Sequence, residues 1–425
     1  MGLMSRQDET LATGRLAGEA LSGVVGVVRD IHAAIDARVE QHLPATARPV
    51  VAAQRGITAA VYAAVAAGHR VASRGAAAAV DAVSPAHAPA PSSTAWGRVA
   101  VPAVNGLWGD HVAANHPALA VPMAVRVAGD DVPVEPAALA AAFPAATSRI
   151  VVFVHGLAES DQAWLLRLHD ASGDDALPYG QRLQSDLGLT PVYVRYNTGL
   201  HVSDNGSALA ALLDDLVAAW PVPVDEVSLV GHSMGGLVGR SACHDAEQAN
   251  RAWVAHVRTV VTLGTPHLGA PLEQAVHVTE WLLRRLPETA PLTRFVSTRS
   301  VGTRDLGHGR VVEADWHGHD PDAFLRDTCT DVPFLSHATY CFVAGSVTRD
   351  LQHPLGRLLG DGLVRYPSAA GVGTTRRTPL PMHTGAHLPA VHHLALLHHP
   401  SVYALLREWL ASADSAPGGD RRATG

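Results

Sequence analysis

The pentapeptide Gly231-His232-Ser233-Met234-Gly235 follows directly on the apolar run Val227-Ser228-Leu229-Val230, and it holds the residue types needed to make a serine attack a carbonyl. A serine hydroxyl is a weak nucleophile at neutral pH. It must be exposed, given a neighbouring base, and set beside hydrogen-bond donors that receive the charge developing on the attacked oxygen. A sharp turn from a strand into a helix provides the exposure. Glycines two residues either side of Ser233 keep Cβ atoms out of the tightest part of such a turn, and Gly236 to Ala242 reads as the helix that follows. G-x-S-x-G also arises by chance in a glycine-rich chain, so the remaining parts of the machinery have to be found.

The donors are expected from the loop after an earlier strand. Val154-His155-Gly156-Leu157-Ala158 supplies such a loop, with Gly156 allowing close approach and the backbone N–H groups of Leu157 and Met234 as the two donors. His155 is a second candidate base, although a histidine at the end of a buried strand more often orders its loop. An orienting acid and then a base are expected after the serine in chain order. Asp361, in Gly360-Asp361-Gly362-Leu363-Val364, and Asp350 both follow the strand-like Ala338–Ala344, and either could equally cap a turn. Among His383, His387, His392, His393, His398 and His399, position favours His393 or its neighbour His392, on the loop before the amphipathic segment Pro400–Leu410. No carboxylate or cysteine recurs near these histidines with ligand spacing, so no metal is expected there.

Positioning such groups requires a sheet. Arg149–Val154, Pro191–Tyr196, Val227–Val230 and Val257–Leu263 are apolar on both faces, as strands inside a parallel sheet are. Between them lie helix candidates such as Ala208–Val217, opened by Asp204-Asn205-Gly206 as a cap. Leu119–Val127 reads as a strand returning through Gly129, an antiparallel hairpin at the sheet edge. The expected class is α/β, a mostly parallel central sheet flanked by helices.

Around this core the chain divides by composition. Residues 1–83 are alanine-rich, with apolar residues stepping by three or four on either side of a break at Pro44 and Pro49, and read as a helical hairpin. Residues 84–95 are a linker, 96–412 the catalytic domain and 413–425 a flexible tail. Within the domain, 266–335 departs from simple alternation and carries Trp281, Leu282, Leu283, Leu286, Phe295 and Val296, the pattern of a lid or of an ordinary packed cap. His308, His317 and His319, with Asp315, Asp320 and Asp322, read as a solvated polar loop in preference to a metal site. The hairpin is open to three uses: packing on the catalytic domain, pairing between subunits, or peripheral contact with a lipid surface.

Composition excludes several functions. The chain has 425 residues and a formal charge of -7, and all 32 basic residues are arginine without a basic stripe, so nucleic acid is not an expected partner. Three cysteines, Cys243, Cys329 and Cys341, form no C-x-x-C pair and leave at most a Cys329–Cys341 bridge. The first apolar cluster, Leu21–Val28, is short and followed by Arg29 and Asp30, so neither a secretory signal nor a membrane span is read. The expected location is the cytoplasm.

Several motifs in order resemble one superfamily, the α/β-hydrolases, and within it bacterial lipases and the alpha/beta domain of glycosylphosphatidylinositol inositol deacylases. The resemblance covers about residues 149–412. It rests on Val154-His155-Gly156, Arg195-Tyr196-Asn197-Thr198-Gly199, Gly231–Gly236, Leu263-Gly264-Thr265-Pro266-His267-Leu268-Gly269, Gly360–Val364 and His393-Leu394. Similar lipases carry their aspartate in an Asp-Gly-Leu-Val-like loop and their histidine in a His-Leu pair, which favours Asp361 over Asp350 and His393 over His392. The resemblance implies a Ser233–His393–Asp361 triad, an oxyanion hole at Leu157 and Met234, and hydrolysis of a carboxylic or lipid ester through an acyl-enzyme without a cofactor. Acyl transfer or thioester cleavage by the same triad stays open, as does a lipid-surface binding protein with a vestigial hydrolase domain. The N-terminal helices lie outside the resemblance.

Overall fold

The computed structural model describes residues 5–41, 48–85, 88, 90–165, 177–270, 299–319, 328–373 and 384–411. The chain forms two compact units. One comprises Met1–Val121, Glu273–Arg304 and Asp322–Arg326, the other Pro122–Leu272, Asp305–Pro321 and Asp327–Gly425.

The first unit is built on the expected hairpin, α1 (Arg6–Gln41) and α2 (Arg48–Val83), followed by α3 (Ala95–Asn115). Alanine and glycine let α1 and α2 approach closely: Ala12, Val27 and Ala77 are buried, and Ser22 Oγ on α1 donates to the Ala66 carbonyl at 2.9 Å. Leu21, Val24, Val28, Val61 and Val65 remain exposed. Arg6–Ala34 of α1 is apolar enough to cross a membrane by length and composition, with a mean hydropathy of 1.2, a test that a core helix or signal sequence also passes. The alanines and glycines around Leu21–Val28 add up to more than that short cluster suggests.

The segment 84–95 leads from α2 into α3. Its proline and serines fold into a 3-10 turn, Pro91–Ser93, and the Thr94 side chain then caps α3 by accepting the Gly97 N–H at 3.0 Å. From α3, His111 and His116 reach back to Glu19 on α1, so the chain leaves this unit only at Val121. Pro102 and a non-helical Trp108 inside α3 blur its sequence pattern.

The second unit contains β1 (Ala124–Val127), β2 (Asp130–Val132), α4 (Pro136–Ala142), β3 (Arg149–Val154), α5 (Tyr179–Leu187), β4 (Thr190–Arg195), α6 (Val202–Ala219), β5 (Glu226–His232) and α7 (Met234–Gln248). After β6 (Val257–Leu263) come α8 (Val301–His308), which enters this unit at Asp305, then β7 (Thr339–Gly345), α9 (Pro354–Leu359), α10 (Tyr366–Ala369), β8 (Gly385–Leu388) and α11 (Pro400–Ala411). The sheet runs β2-β1-β4-β3-β5-β6-β7-β8. The β1–β2 and β1–β4 pairs are antiparallel and the rest parallel, as the hairpin and the apolar runs predict.

Strand alternation splits the core into two layers. Ile150, Val152 and Val154 of β3 face Leu209 and Leu213 of α6 and Leu237 and Val238 of α7, whereas Val151 and Phe153 face Leu183 of α5 and Val402 and Leu406 of α11. Burying both faces is what demanded unbroken apolar strands.

Two local expectations are corrected. Asp204 is not the cap of α6, which starts two residues earlier at Val202, whose N–H donates to Asp305 at 3.0 Å. Strand β8 carried no apolar run to announce it. The Cys329–Cys341 bridge does not form: Cys341 is a buried thiol and the Cys329 Sγ donates to the His308 carbonyl at 3.4 Å. Trp281, Leu282, Leu283, Leu286, Phe295 and Val296 of the lid or cap, and the tail 413–425, lie outside the described residues.

Candidate active site

Parallel strands deliver loops to the carboxyl edge of a sheet, where ligands bind in such folds. The ends of β3, β5, β6 and β7 each supply one part of the site, and the loop after β8 supplies another.

Ser233 is the turn between β5 and α7. Its φ of 52° and ψ of −121° lie in a region that a residue with a side chain rarely adopts, at a strain of about 1–3 kcal/mol. Its N–H donates to the Leu263 carbonyl, at the end of β6, at 2.8 Å. The flanking glycines are required by close approach: a Cβ on Gly231 would lie 2.5 Å from the Gly236 nitrogen, and one on Gly235 2.1 Å from the Val154 carbonyl oxygen. The start of α7 is thereby pressed against the end of β3. The two expected oxyanion donors sit at the ends of these elements, Leu157 on the loop after β3 and Met234 as the first residue of α7.

Asp361 and His393 meet although 32 residues separate them. His393 Nδ1 is 2.8 Å from Asp361 Oδ2, and the His393 N–H donates to the Asp361 carbonyl at 2.9 Å. The other carboxylate oxygen, Oδ1, accepts the N–H groups of Leu363 at 3.0 Å and Val364 at 2.8 Å. Both side chains are buried, so the carboxylate is desolvated yet fully hydrogen-bonded. The imidazole packs on Gly264, the residue after Leu263. Gly264 has a φ of 59°, and a Cβ there would lie 3.0 Å from Nδ1 and Cε1 of His393. Because Leu263 holds the Ser233 N–H, Ser233 and His393 are brought to the same strand end.

The alternatives sit elsewhere. Asp350 is exposed and accepts the Gln352 N–H at 2.9 Å, and His392 is exposed and caps the turn at the Ala395 N–H, at 3.3 Å. His155 is buried, with Nδ1 2.9 Å from the Gly156 carbonyl and its ring stacked on Tyr196 at 4.4 Å. Burial pushes its pKa down, so it orders its loop as a neutral ring. Asp315 is consumed by the N–H groups of Val311, Val312 and Thr330, while His317 is exposed beside Glu313. Asp320, Asp322 and His383 lie outside the described residues.

One feature of the site carried no sequence signal beyond its position in the motif. His232 Nδ1 lies 3.0 Å from the Glu159 carboxylate, and its Nε2 donates to the His393 carbonyl at 3.2 Å. Glu159 also accepts the Gly156 N–H at 2.7 Å. One buried ion pair thus ties the loop after β3, the serine turn and the backbone of His393 together. Burial alone would raise the Glu159 pKa, but the charge and hydrogen bond of His232 and the Gly156 N–H outweigh it and hold the carboxyl at about 2. Burial would lower His232, yet the charge and hydrogen bond of Glu159, the His393 carbonyl and the charge of Asp361 raise it above 6.5.

The sign of the resulting pH dependence follows from the two directions. A depressed carboxyl stabilises above its unfolded pKa, near 4.5, and loses that contribution as pH falls toward 2. A raised histidine stabilises fully below 6.5 and loses its contribution as pH rises through its folded pKa. Glu159→Gln should therefore destabilise most between pH 4.5 and 6.5, with its deficit against wild type shrinking on either side. Urea unfolding of both proteins across pH would check this; a deficit independent of pH would contradict it.

Residues 145–321 match the family model described as the PGAP1-like alpha/beta domain. The chain is 35% identical over 159 residues to a triacylglycerol lipase of Burkholderia plantarii, covering 36% of this chain and 39% of that protein. It is 33% identical over 132 residues to a triacylglycerol lipase of Pseudarthrobacter phenanthrenivorans, covering 30% and 35% respectively. The chain thus spans less than two fifths of the length of these relatives. A solved lipase of Bacillus licheniformis, in mature form, is 21% identical with a TM-score of 0.35, covering 68% of this chain and 96% of that one. The chain is thus similar over part of its length to the PGAP1-like alpha/beta domain and to these lipases, and its eight-stranded, mostly parallel sheet is the expected α/β class.

Proposed function

We propose that this α/β-hydrolase-fold protein cleaves carboxylic esters with an apolar acyl part, through Ser233, His393 and Asp361. Ser233 Oγ attacks the ester carbonyl while its proton passes to His393 Nε2, and Leu157 and Met234 N–H groups receive the oxyanion. The tetrahedral adduct collapses with loss of the alcohol, which takes the proton from His393, and an acyl-Ser233 ester remains. Water then attacks this ester with His393 again as base, releasing the carboxylic acid and restoring the serine. Asp361, bonded to His393 Nδ1, fixes the tautomer that leaves Nε2 free to accept, and stabilises the charged ring.

The carrying observation is the buried Asp361–His393 bond of 2.8 Å, packed on Gly264 at the strand end that also holds Ser233. Similarity to proteins named triacylglycerol lipases supports an ester or lipid substrate. A p-nitrophenyl ester series from short to long acyl chains tests the proposal. Hydrolysis rising with acyl length is expected, and folded protein that cleaves none of the series would overturn it.

A further inference from the structure

The first unit carries a cluster of groups unrelated to the serine site. Glu19 on α1 and His111 and His116, at and just beyond the end of α3, bring a carboxylate oxygen and two ring nitrogens within 4.8 Å of one another. Both imidazoles point the same atom at the same partner: Nε2 of His116 lies 2.9 Å and Nε2 of His111 3.3 Å from Glu19 Oε2. We propose that Glu19, His111 and His116 bind a zinc ion that joins α1 to α3.

The donor set and its dimensions fit. Two imidazoles and one carboxylate are ligands zinc takes readily, with a water as the fourth. Zinc bonds of about 2.0–2.1 Å in a tetrahedron place ligand atoms about 3.4 Å apart, which matches the 3.3 Å from His111 and asks His116, at 2.9 Å, to draw back by about 0.5 Å. The site is open on one side. The His116 side chain is 2% exposed, whereas those of His111 and Glu19 are 50% and 41% exposed, which leaves room for entry and for the water ligand. Beside it, the Asn115 side-chain nitrogen lies 3.1 Å from His111 Nδ1 and donates to the His111 carbonyl at 3.0 Å, which holds the start of that ring in place.

The unit has physical reason to use such a staple. Its described core of apolar side chains is Ala12, Val27, Ala77 and Val112, mostly small groups, while Leu21 and several valines of α1 and α2 stay exposed. Units with little buried apolar surface gain stability from a structural metal.

The test uses the full chain, stripped with a chelator and titrated with zinc alone, read by bound-metal analysis and calorimetry. Wild type is expected to take up one tight equivalent, and Glu19→Gln and His111→Gln to weaken it by about 100-fold or more. Cobalt in place of zinc should give the intense visible bands of a four-coordinate site in wild type and lose them in both variants. His116→Ala removes a buried ring and can fail to fold, so the half-exposed His111 and Glu19 carry the comparison. No tight uptake by wild type, or equal uptake by wild type and both variants at other histidines, would overturn the proposal.

Discussion

Replacing Ser233 with alanine is expected to lower kcat for ester hydrolysis by about 10⁶-fold, with folding intact. The size follows from the part removed. Without the hydroxyl no acyl-enzyme forms, and only the oxyanion donors and substrate binding remain to assist water. The fold should survive because alanine occupies the same backbone site, with a φ of 52°, and the Ser233 N–H bond to Leu263 does not use the side chain. Melting temperature and KM should stay close to wild type while kcat collapses. Steady-state kinetics on a p-nitrophenyl ester, with thermal unfolding of the same samples, provide the check. A variant within tenfold of wild-type kcat would remove Ser233 from the chemistry.

Asp361→Asn is expected to cost about 10⁴-fold in kcat, through the tautomer of His393 and with the loop undisturbed. In the wild type Oδ1 accepts the Leu363 and Val364 N–H groups while Oδ2 faces His393 Nδ1. An asparagine keeps those two loop bonds only by leaving its oxygen at the Oδ1 position, which turns its NH₂ toward His393. His393 Nδ1 must then accept, so the ring proton moves to Nε2, and Nε2 can no longer take the proton of Ser233. Asp350→Asn, on an exposed turn, should leave kcat within about twofold. Equal losses in the two variants would contradict the assignment of roles.

The sheet was legible because the physics behind it is local. Strands buried on both faces must be apolar throughout, and β3, β5 and β6 show this at Arg149–Val154, Val227–Val230 and Val257–Leu263. The serine turn was legible for a similar reason, since both of its flanking glycines are forced by contacts under 3 Å. The residues alone narrow the acid to Asp350 or Asp361 and the base to His392 or His393. Distinguishing them physically needed a contact across 32 residues, between the loop after β7 and the loop after β8, which no local pattern encodes.

What stayed hidden depended on long-range partners. Glu159 looked like one more loop carboxylate until the fold placed it against His232, 73 residues away. The start of α6 was misplaced because its cap, Asp305, arrives from 103 residues later. The approach of α3 to α1 was hidden because α3 contains Pro102 and its bonds to Glu19 span more than 90 residues. In each case one end of the interaction carries no hint of the other.

The most direct measurement is reaction of the folded chain with a fluorophosphonate probe, followed by digestion and mapping of the modified peptide by mass spectrometry. One adduct is expected, on the peptide containing Ser233, absent from Ser233→Ala and strongly slowed in Asp361→Asn. An adduct on a different serine, or none in protein that still hydrolyses esters, would contradict nucleophilic catalysis at the turn between β5 and α7.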